Sequence, residues 1–221
     1  LIYKFINGED MNKLKITLIS LTLVLASSIA SAYSFSSNAA MQSAYIWRGM
    51  DQNDSDASVN VGIDVDFENG FYAGTWAATV DMGNGATLEH DYYAGYTFDI
   101  GGIGVDIGVI SVQYNGDQDI DFGENYIALS LPMNVGFHYS EGDELGDYSE
   151  ISWSTDLGPG SLALSYGDMD SSSAATLDGG NNVFAGWTYG MGDFDVEIGF
   201  YDFGADAANA DDNGFVLTIS I

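Results

Sequence analysis

Apolar and polar residues alternate along the chain after residue 33. Between Ser58 and Glu68 every second residue is apolar, and the residues between are small, polar or acidic. The apolar set of this run is Val59, Val61, Ile63, Val65 and Phe67. Residues 88–100 and 194–201 repeat the pattern. Because successive side chains of a strand point to opposite faces, a period of two predicts β-strands with one apolar and one polar face.

Turn-forming segments such as ENG, GNG, DIGG, GPG and DGGNN separate these runs. The sequence predicts about twelve strands, which begin near residues 41, 58, 71, 87, 103, 122, 133, 148, 161, 183, 194 and 214. An even number of strands with alternating short and long connections favours an up-and-down meander in one domain.

Two all-β architectures bury one face of such strands. A soluble sandwich hides the apolar face in its core, whereas a transmembrane barrel presents it to lipid. Runs of about ten residues and a glycine-rich polar face favour the second, a closed antiparallel up-and-down transmembrane β-barrel. Aromatic residues near the ends of runs are typical of interfacial girdles. The girdle candidates are Tyr45, Trp47, Trp76, Tyr92, Tyr96, Trp153, Trp187 and Tyr189.

The amino-terminal segment predicts export. A short basic stretch begins at Met11, an apolar stretch follows, and small residues end it at 30–32. This order is typical of a secretory signal peptide, here residues 11–32, and the apolar stretch is too short for a transmembrane helix. Residues 1–10 are interpreted as an upstream extension with no assigned fold, and residues 33–221 as the barrel domain. The predicted location is the outer membrane of a Gram-negative bacterium, after cleavage of the signal peptide.

Acidic residues dominate the charge: 33 Asp and Glu stand against 4 Lys and Arg, for a formal net charge of −29. Such a field repels nucleic acid and favours cations. The chain has no cysteine, so no disulfide supports the fold. Three of the four basic residues precede residue 33, which leaves Arg48 as the only Lys or Arg of the barrel domain.

The polar face carries the candidate site. A ring of carboxylates in a lumen concentrates cations, although adaptation to high salt would also place acids on all wetted surfaces. The lumen candidates are Arg48, Asp64, Asp66, Glu68, Asp81, Glu89, Asp91, Asp99, Asp106, Glu150, Asp195 and Glu197. We expect Arg48 to face inward from the first strand and to pair with Asp64, Asp66, Glu89 or Asp91. It would act either as an ion-pair clamp or as a constriction element.

No catalytic, cofactor or metal site is predicted. The chain has two histidines, and His138 and Ser140 fall on the inward register without a third partner. The acidic segment 51–56 lacks the glycine and the final glutamate of an EF-hand calcium loop.

Three ordered motifs carry a resemblance to the TorF-type family of proteobacterial outer-membrane porins. The first, S-x-Y-x-x-R-G-x-x-Q, begins at Ser43; the second, G-F-Y-A-G-x-W, begins at Gly70; the third, E-x-D-x-Y-x-G-Y, begins at Glu89. The resemblance is dense over residues 43–100, and one departure is the terminal Ile221, where outer-membrane barrels usually end in Phe. The resemblance implies a porin barrel in contact with outer-membrane lipid, which would allow passive diffusion of small hydrophilic solutes; the preference for cations is expected from the acidic polar face and not from the resemblance. The alternative is a non-conducting structural or binding barrel, which large inward side chains such as Tyr93 would favour. The oligomeric state stays open.

Overall fold

The computed structural model describes residues 33–81, 83, 85–116, 120–142, 146–170, 179–206 and 211–221. The interpretations of residues 1–10 and 11–32 lie outside this part of the chain. The strands are β1 (Tyr33–Gln42), β2 (Ile46–Trp47), β3 (Met50–Asp51), β4 (Ser58–Phe67), β5 (Phe71–Thr79), β6 (Leu88–Ile100), β7 (Ile103–Tyr114), β8 (Phe122–Leu131), β9 (Val135–Gly142), β10 (Gly146–Leu157), β11 (Gly160–Met169), β12 (Gly180–Met191), β13 (Phe194–Ala205) and β14 (Asp212–Ser220). A 3₁₀ turn, Pro132–Asn134, joins β8 to β9. Among these residues no helix has the length and apolar character needed to cross a membrane.

Strand β1 and strands β4–β14 form a closed antiparallel barrel. Each strand from β4 to β13 pairs with the next one along the chain, and β14 pairs with β1. The predicted fold, a closed up-and-down barrel of about twelve strands, is confirmed. Closure pairs the edge strands with each other, which removes exposed edges from the sheet.

The strand register assigns one face to the interior. Residues directly opposite on neighbouring strands share a face, and the pairs Gly62↔Trp76, Trp76↔Asp91 and Asp91↔Val112 trace one inward row across β4 to β7. The alternate residues point outward and include many exposed apolar side chains, among them Val61, Ile63, Ile107, Val109, Ile151, Ile198, Phe215 and Leu217. The barrel therefore has an apolar outer surface, as the period of two predicts.

The predicted start of the first strand is wrong, whereas the other eleven strands begin within three residues of their predicted positions. β1 spans Tyr33–Gln42 instead of beginning near residue 41. Serine and alanine interrupt its outward face, so its period-two pattern is weak. The alternation of Tyr45 and Trp47 imitates a strand, but these residues lie beyond the end of β1.

The connection between β1 and β4, here called the inward loop (residues 43–57), crosses the interior of the barrel. It starts at β1, yet Arg48 contacts Glu124 on β8, and Gly49 lies against Asn182 on β12. Ala44 and Tyr45 are buried. The backbone N–H of Asp51 donates to the carboxylate of Asp212 on β14 (3.0 Å). The inward loop is thus fixed to several walls of the barrel at once.

Candidate functional site

A two-residue turn forms the tip of the inward loop. β2 and β3 pair through Trp47↔Met50, with Arg48 (φ 50°) and Gly49 (φ 81°) between them. Positive φ at both central residues is typical of a type I′ hairpin turn. A side chain at Gly49 would overlap Asn182, because a Cβ built there lies 2.7 Å from the Asn182 Cβ. Glycine at this position therefore permits both the turn and the close approach to β12.

Arg48 is the electrostatic centre of the site. Its Nη1 and Nη2 donate to Oε1 and Oε2 of Glu124 (2.8 and 2.7 Å), and Nη2 also donates to the Ser140 hydroxyl (3.0 Å). The guanidinium lies over the rings of Trp47 and Tyr148, 4.3 and 4.1 Å from their centroids. Both charged side chains are about nine-tenths buried, with exposures of 10% and 6%. Bidentate geometry and low solvent access make this one of the stronger kinds of ion pair.

The predicted partners of Arg48 are wrong, although its inward position holds. Asp64 instead accepts a hydrogen bond from Tyr93, and Glu89 accepts bonds from two tyrosines. Sequence reasoning missed Glu124, although the signal was present: Ile127, Leu129 and Leu131 mark the outward register of β8, which places Glu124 inward. The partner changed because Arg48 lies on a loop that reaches across the lumen and not on the first strand.

The root of the inward loop is fixed by a buried carboxylate. Glu89 accepts from the hydroxyls of Tyr45 (2.6 Å) and Tyr114 (2.5 Å), and Tyr45 packs on Trp76 (5.5 Å between ring centroids). Burial, together with the nearby Glu89 carboxylate, raises the pKa of Tyr45 well above its ordinary value. The girdle prediction is therefore wrong for Tyr45, Trp47 and Trp76. The first two belong to the inward loop, and all three pack in a cluster inside the barrel.

The other candidates keep the face that alternation predicts. Tyr92, Tyr96, Trp153, Trp187 and Tyr189 lie on the outward register, where Trp187 stacks on Tyr189 and donates to the Leu157 carbonyl (3.1 Å). On the inward register lie Asp64, Asp66, Glu89, Asp91, Asp99, Asp106, Glu150, Asp195 and Glu197. The predicted position on a strand is wrong for two of the lumen acids. Glu68 lies in the turn after β4, and Asp81 lies in the connection after β5.

Inward tyrosines lie against glycines of the neighbouring strand. The cross-strand pairs are Tyr72↔Gly95, Tyr93↔Gly74, Tyr126↔Gly108 and Tyr201↔Gly214. In each pair, a methyl group on the glycine would overlap the tyrosine ring. The hydroxyls meet inward acids: Tyr72 donates to Asp106 (2.8 Å) and contacts Tyr126, and Tyr93 donates to Asp64. Glycine thus allows these rings to lie along the wall.

A cavity of about 450 Å³ remains beside the inward loop. It reaches from Gln42 and Thr218 to Arg48, and its walls come mainly from β9 to β14. Glu150 and Glu197 supply carboxylates, and His138 supplies an imidazole that stacks on Tyr126 and lies tilted against Tyr148. Ser140, the other member of the histidine–serine spacing, binds Arg48. The lining of the cavity is mixed: its two carboxylates and several neutral polar side chains alternate with apolar or aromatic ones, which are Ile46, Tyr148, Phe184 and Val216.

Two solved structures of KdgM porin are similar to this barrel. One, described as "KdgM porin", has a TM-score of 0.56 at 9% sequence identity, covering 86% of this chain and 98% of the other. The second, "KdgM porin in complex with disordered oligogalacturonate", has a TM-score of 0.55 at the same identity and coverage. Identity this low shows a shared fold. No curated protein sequence matches the chain.

Two family models match the sequence. A model described as "Gram-negative porin" matches residues 111–220. Together with the barrel fold, this match points to the Gram-negative outer membrane. The second model matches residues 26–149, which is more than half of the chain and includes the inward loop. The protein therefore belongs to the family described as "Bacterial protein of unknown function (Gcw_chp)".

Proposed function

We propose that this porin-like barrel allows passive diffusion of small hydrophilic solutes, with cations preferred over anions, and that the inward loop narrows the path. The observation that carries the proposal is the acidic cavity of about 450 Å³ beside the inward loop. This volume is within the range of sites that hold small molecules. The resemblance of residues 43–100 to TorF-type porins supports the same reading.

The charge of the cavity supports cation preference. Arg48, the only Lys or Arg in the described part of the chain, is neutralised by Glu124. Within the described residues, the hydrogen bonds that Glu150 and Glu197 accept come from neutral hydroxyls, those of Tyr148 (2.9 Å) and Thr188 (3.1 Å), which do not neutralise the carboxylates. At about 8 Å, one such charge favours a monovalent cation by roughly 0.5–2 kcal/mol, according to the local dielectric. This sign disfavours acidic sugars such as the oligogalacturonate named for the KdgM complex.

The test is the reversal potential of single channels in a planar bilayer under a KCl gradient. Wild type is expected to prefer K⁺, and a Glu150→Gln/Glu197→Gln variant is expected to shift the potential toward zero. The matched control is Glu141→Gln, which removes one charge from the outward face of the neighbouring β9. A wild-type preference for Cl⁻ would refute the proposal.

The second candidate function is a non-conducting structural or binding barrel. It is favoured by the inward loop across the lumen and by the inward tyrosines Tyr72, Tyr93 and Tyr126. The absence of conductance steps from heat-modifiable, folded protein would select this function over the channel. Swelling of liposomes in a neutral sugar gives an independent measurement of the same choice.

A further inference from the structure

A buried carboxylate on β6 lacks a hydrogen-bond partner. Asp91 faces inward between Trp76 and Val112, and only 8% of its surface is exposed. Its Oδ1 is buried and has no hydrogen-bond partner among the described residues. An isolated buried carboxylate costs several kcal/mol, so such a group normally carries a partner ion, a proton or bound water.

The nearby donors are already used. Glu89 lies two residues before Asp91 on the same face of β6 and accepts hydrogen bonds from the hydroxyls of Tyr45 and Tyr114. Arg48 is bound to both oxygens of Glu124. The lysines of the sequence all precede residue 33. No side-chain cation of the described chain is therefore left to neutralise Asp91 and Glu89.

A small cavity connects these groups. Its volume is about 60 Å³, and Glu89, Asp91 and Glu124 all line it. Apolar walls from Trp47, Ile110, Val112 and Phe122 surround the carboxylates. A volume of this size holds about two water molecules, or one small ion with one water. Tyr45 and Tyr114 also line the cavity, and their phenol oxygens keep lone pairs after donating to Glu89.

We propose that this cavity binds one small monovalent cation, Na⁺ or K⁺, between Asp91 and Glu89. Oxygen ligands of this kind suit hard cations. The described residues contain no group of three or more Asp, Glu, His or Cys side chains arranged to hold a metal ion, so the proposed ligands are two carboxylates completed by neutral oxygens. The cation offsets the charge of the two carboxylates. It also stabilises the root of the inward loop, because Glu89 binds the cation and accepts the hydrogen bond from Tyr45. This site does not depend on whether the barrel conducts.

The test is the thermal unfolding midpoint of the detergent-solubilised full chain, followed by heat-modifiable gel migration at constant pH and ionic strength. The salt is KCl, NaCl or the chloride of N-methyl-D-glucamine, a cation too large for the cavity. A cation at ten times its dissociation constant favours the folded state about tenfold, which raises the midpoint by about 3–5 °C for a chain of this size. Wild type is expected to show this saturable rise with K⁺ or Na⁺ relative to the large cation.

In Asp91→Asn the unfolding midpoint should no longer depend on the size of the cation. The variant should fold at least as well as wild type in the large-cation buffer, since the substitution removes an unpaired buried charge. The control is Asp99→Asn on the same strand and face, where the carboxylate is exposed; it should retain the dependence. Equal wild-type midpoints in small and large cations would overturn the proposal, and would indicate a proton or water at Asp91 instead. Dependence that persists in Asp91→Asn would also overturn it. If Asp91→Asn fails to fold, the wild-type comparison of cations decides by itself.

Discussion

The ion pair between Arg48 and Glu124 yields the sharpest prediction. Arg48→Ala removes three hydrogen bonds from the guanidinium, two to Glu124 and one to Ser140, together with two ring contacts, and it leaves Glu124 buried without a counter-charge. Breaking a buried pair in this way costs about 3–5 kcal/mol. Alanine recovers none of this, because φ is 50° at position 48 and is unfavourable for alanine as well.

A loss of this size falls first on the inward loop. Since each 1.4 kcal/mol is a factor of ten, the docked loop becomes roughly 140- to 3,700-fold less favoured relative to the released loop. The twelve paired strands do not include residues 43–57, so we expect the barrel to stay closed. The expected result for Arg48→Ala is therefore larger or more frequent conductance steps, with heat-modifiable migration retained and its midpoint lowered.

Two variants separate the contributions. Arg48→Lys keeps the charge but loses the bidentate fork, so its midpoint should lie between those of wild type and Arg48→Ala. Arg48→Met/Glu124→Gln removes both charges and should recover most of the midpoint, because no buried charge is left unpaired. A double variant no more stable than Arg48→Ala would contradict the electrostatic reasoning. An unchanged midpoint with altered conductance in Arg48→Ala would assign the arginine to constriction, and no change in either would refute both roles.

Three further predictions test other parts of the molecule. Gly49→Ala should release the tip of the inward loop from Asn182, seen as conductance like that of Arg48→Ala; unchanged conductance would refute the close-contact argument. The pKa of Tyr45 is raised when the inward loop is docked. The stability that Tyr45 gives to the docked loop is therefore complete below the ordinary tyrosine pKa of about 10 and is lost as the pH rises above it. The thermal unfolding midpoint of wild type should therefore fall more steeply between pH 8 and 11 than that of Tyr45→Phe. Parallel curves would show that Tyr45 is not the source of the pH dependence. Ile198→Arg on the outer face should cost about 2–4 kcal/mol of folding free energy in lipid vesicles, whereas a similar midpoint to that of Ile198→Leu would contradict lipid contact.

Period-two alternation was sufficient for the barrel walls. Val61 and Ile63 point outward, while Asp64 and Glu89 point inward, because one strand face must meet an apolar medium. The same alternation was misleading at Tyr45, Trp47 and Trp76. Aromatic rings also pack well inside a barrel, and a pattern of faces does not distinguish an aromatic residue that meets lipid from one that supports a loop.

The inward loop could not be predicted from local pattern. Its position depends on contacts between residues far apart in the sequence, such as Arg48 with Glu124 and Gly49 with Asn182. The local signal was an Arg-Gly pair between two short apolar stretches, which is compatible with a hairpin turn as well as with a strand. The charge of Arg48 was enough to predict an acidic partner. Which acid it binds depends on the register of β8 and on the path of the inward loop.

The contact between inward tyrosines and cross-strand glycines has a consequence for how the bore of such a barrel can vary. Strand number sets the outer diameter, but the free width is what remains after the side chains are placed. Tyr93 over Gly74 and Tyr201 over Gly214 lie in the plane of the wall because the glycines leave room for them. Replacing either glycine with alanine would turn its tyrosine toward the axis. Single substitutions of this kind change the free width without altering strand number, register or any lipid-facing residue.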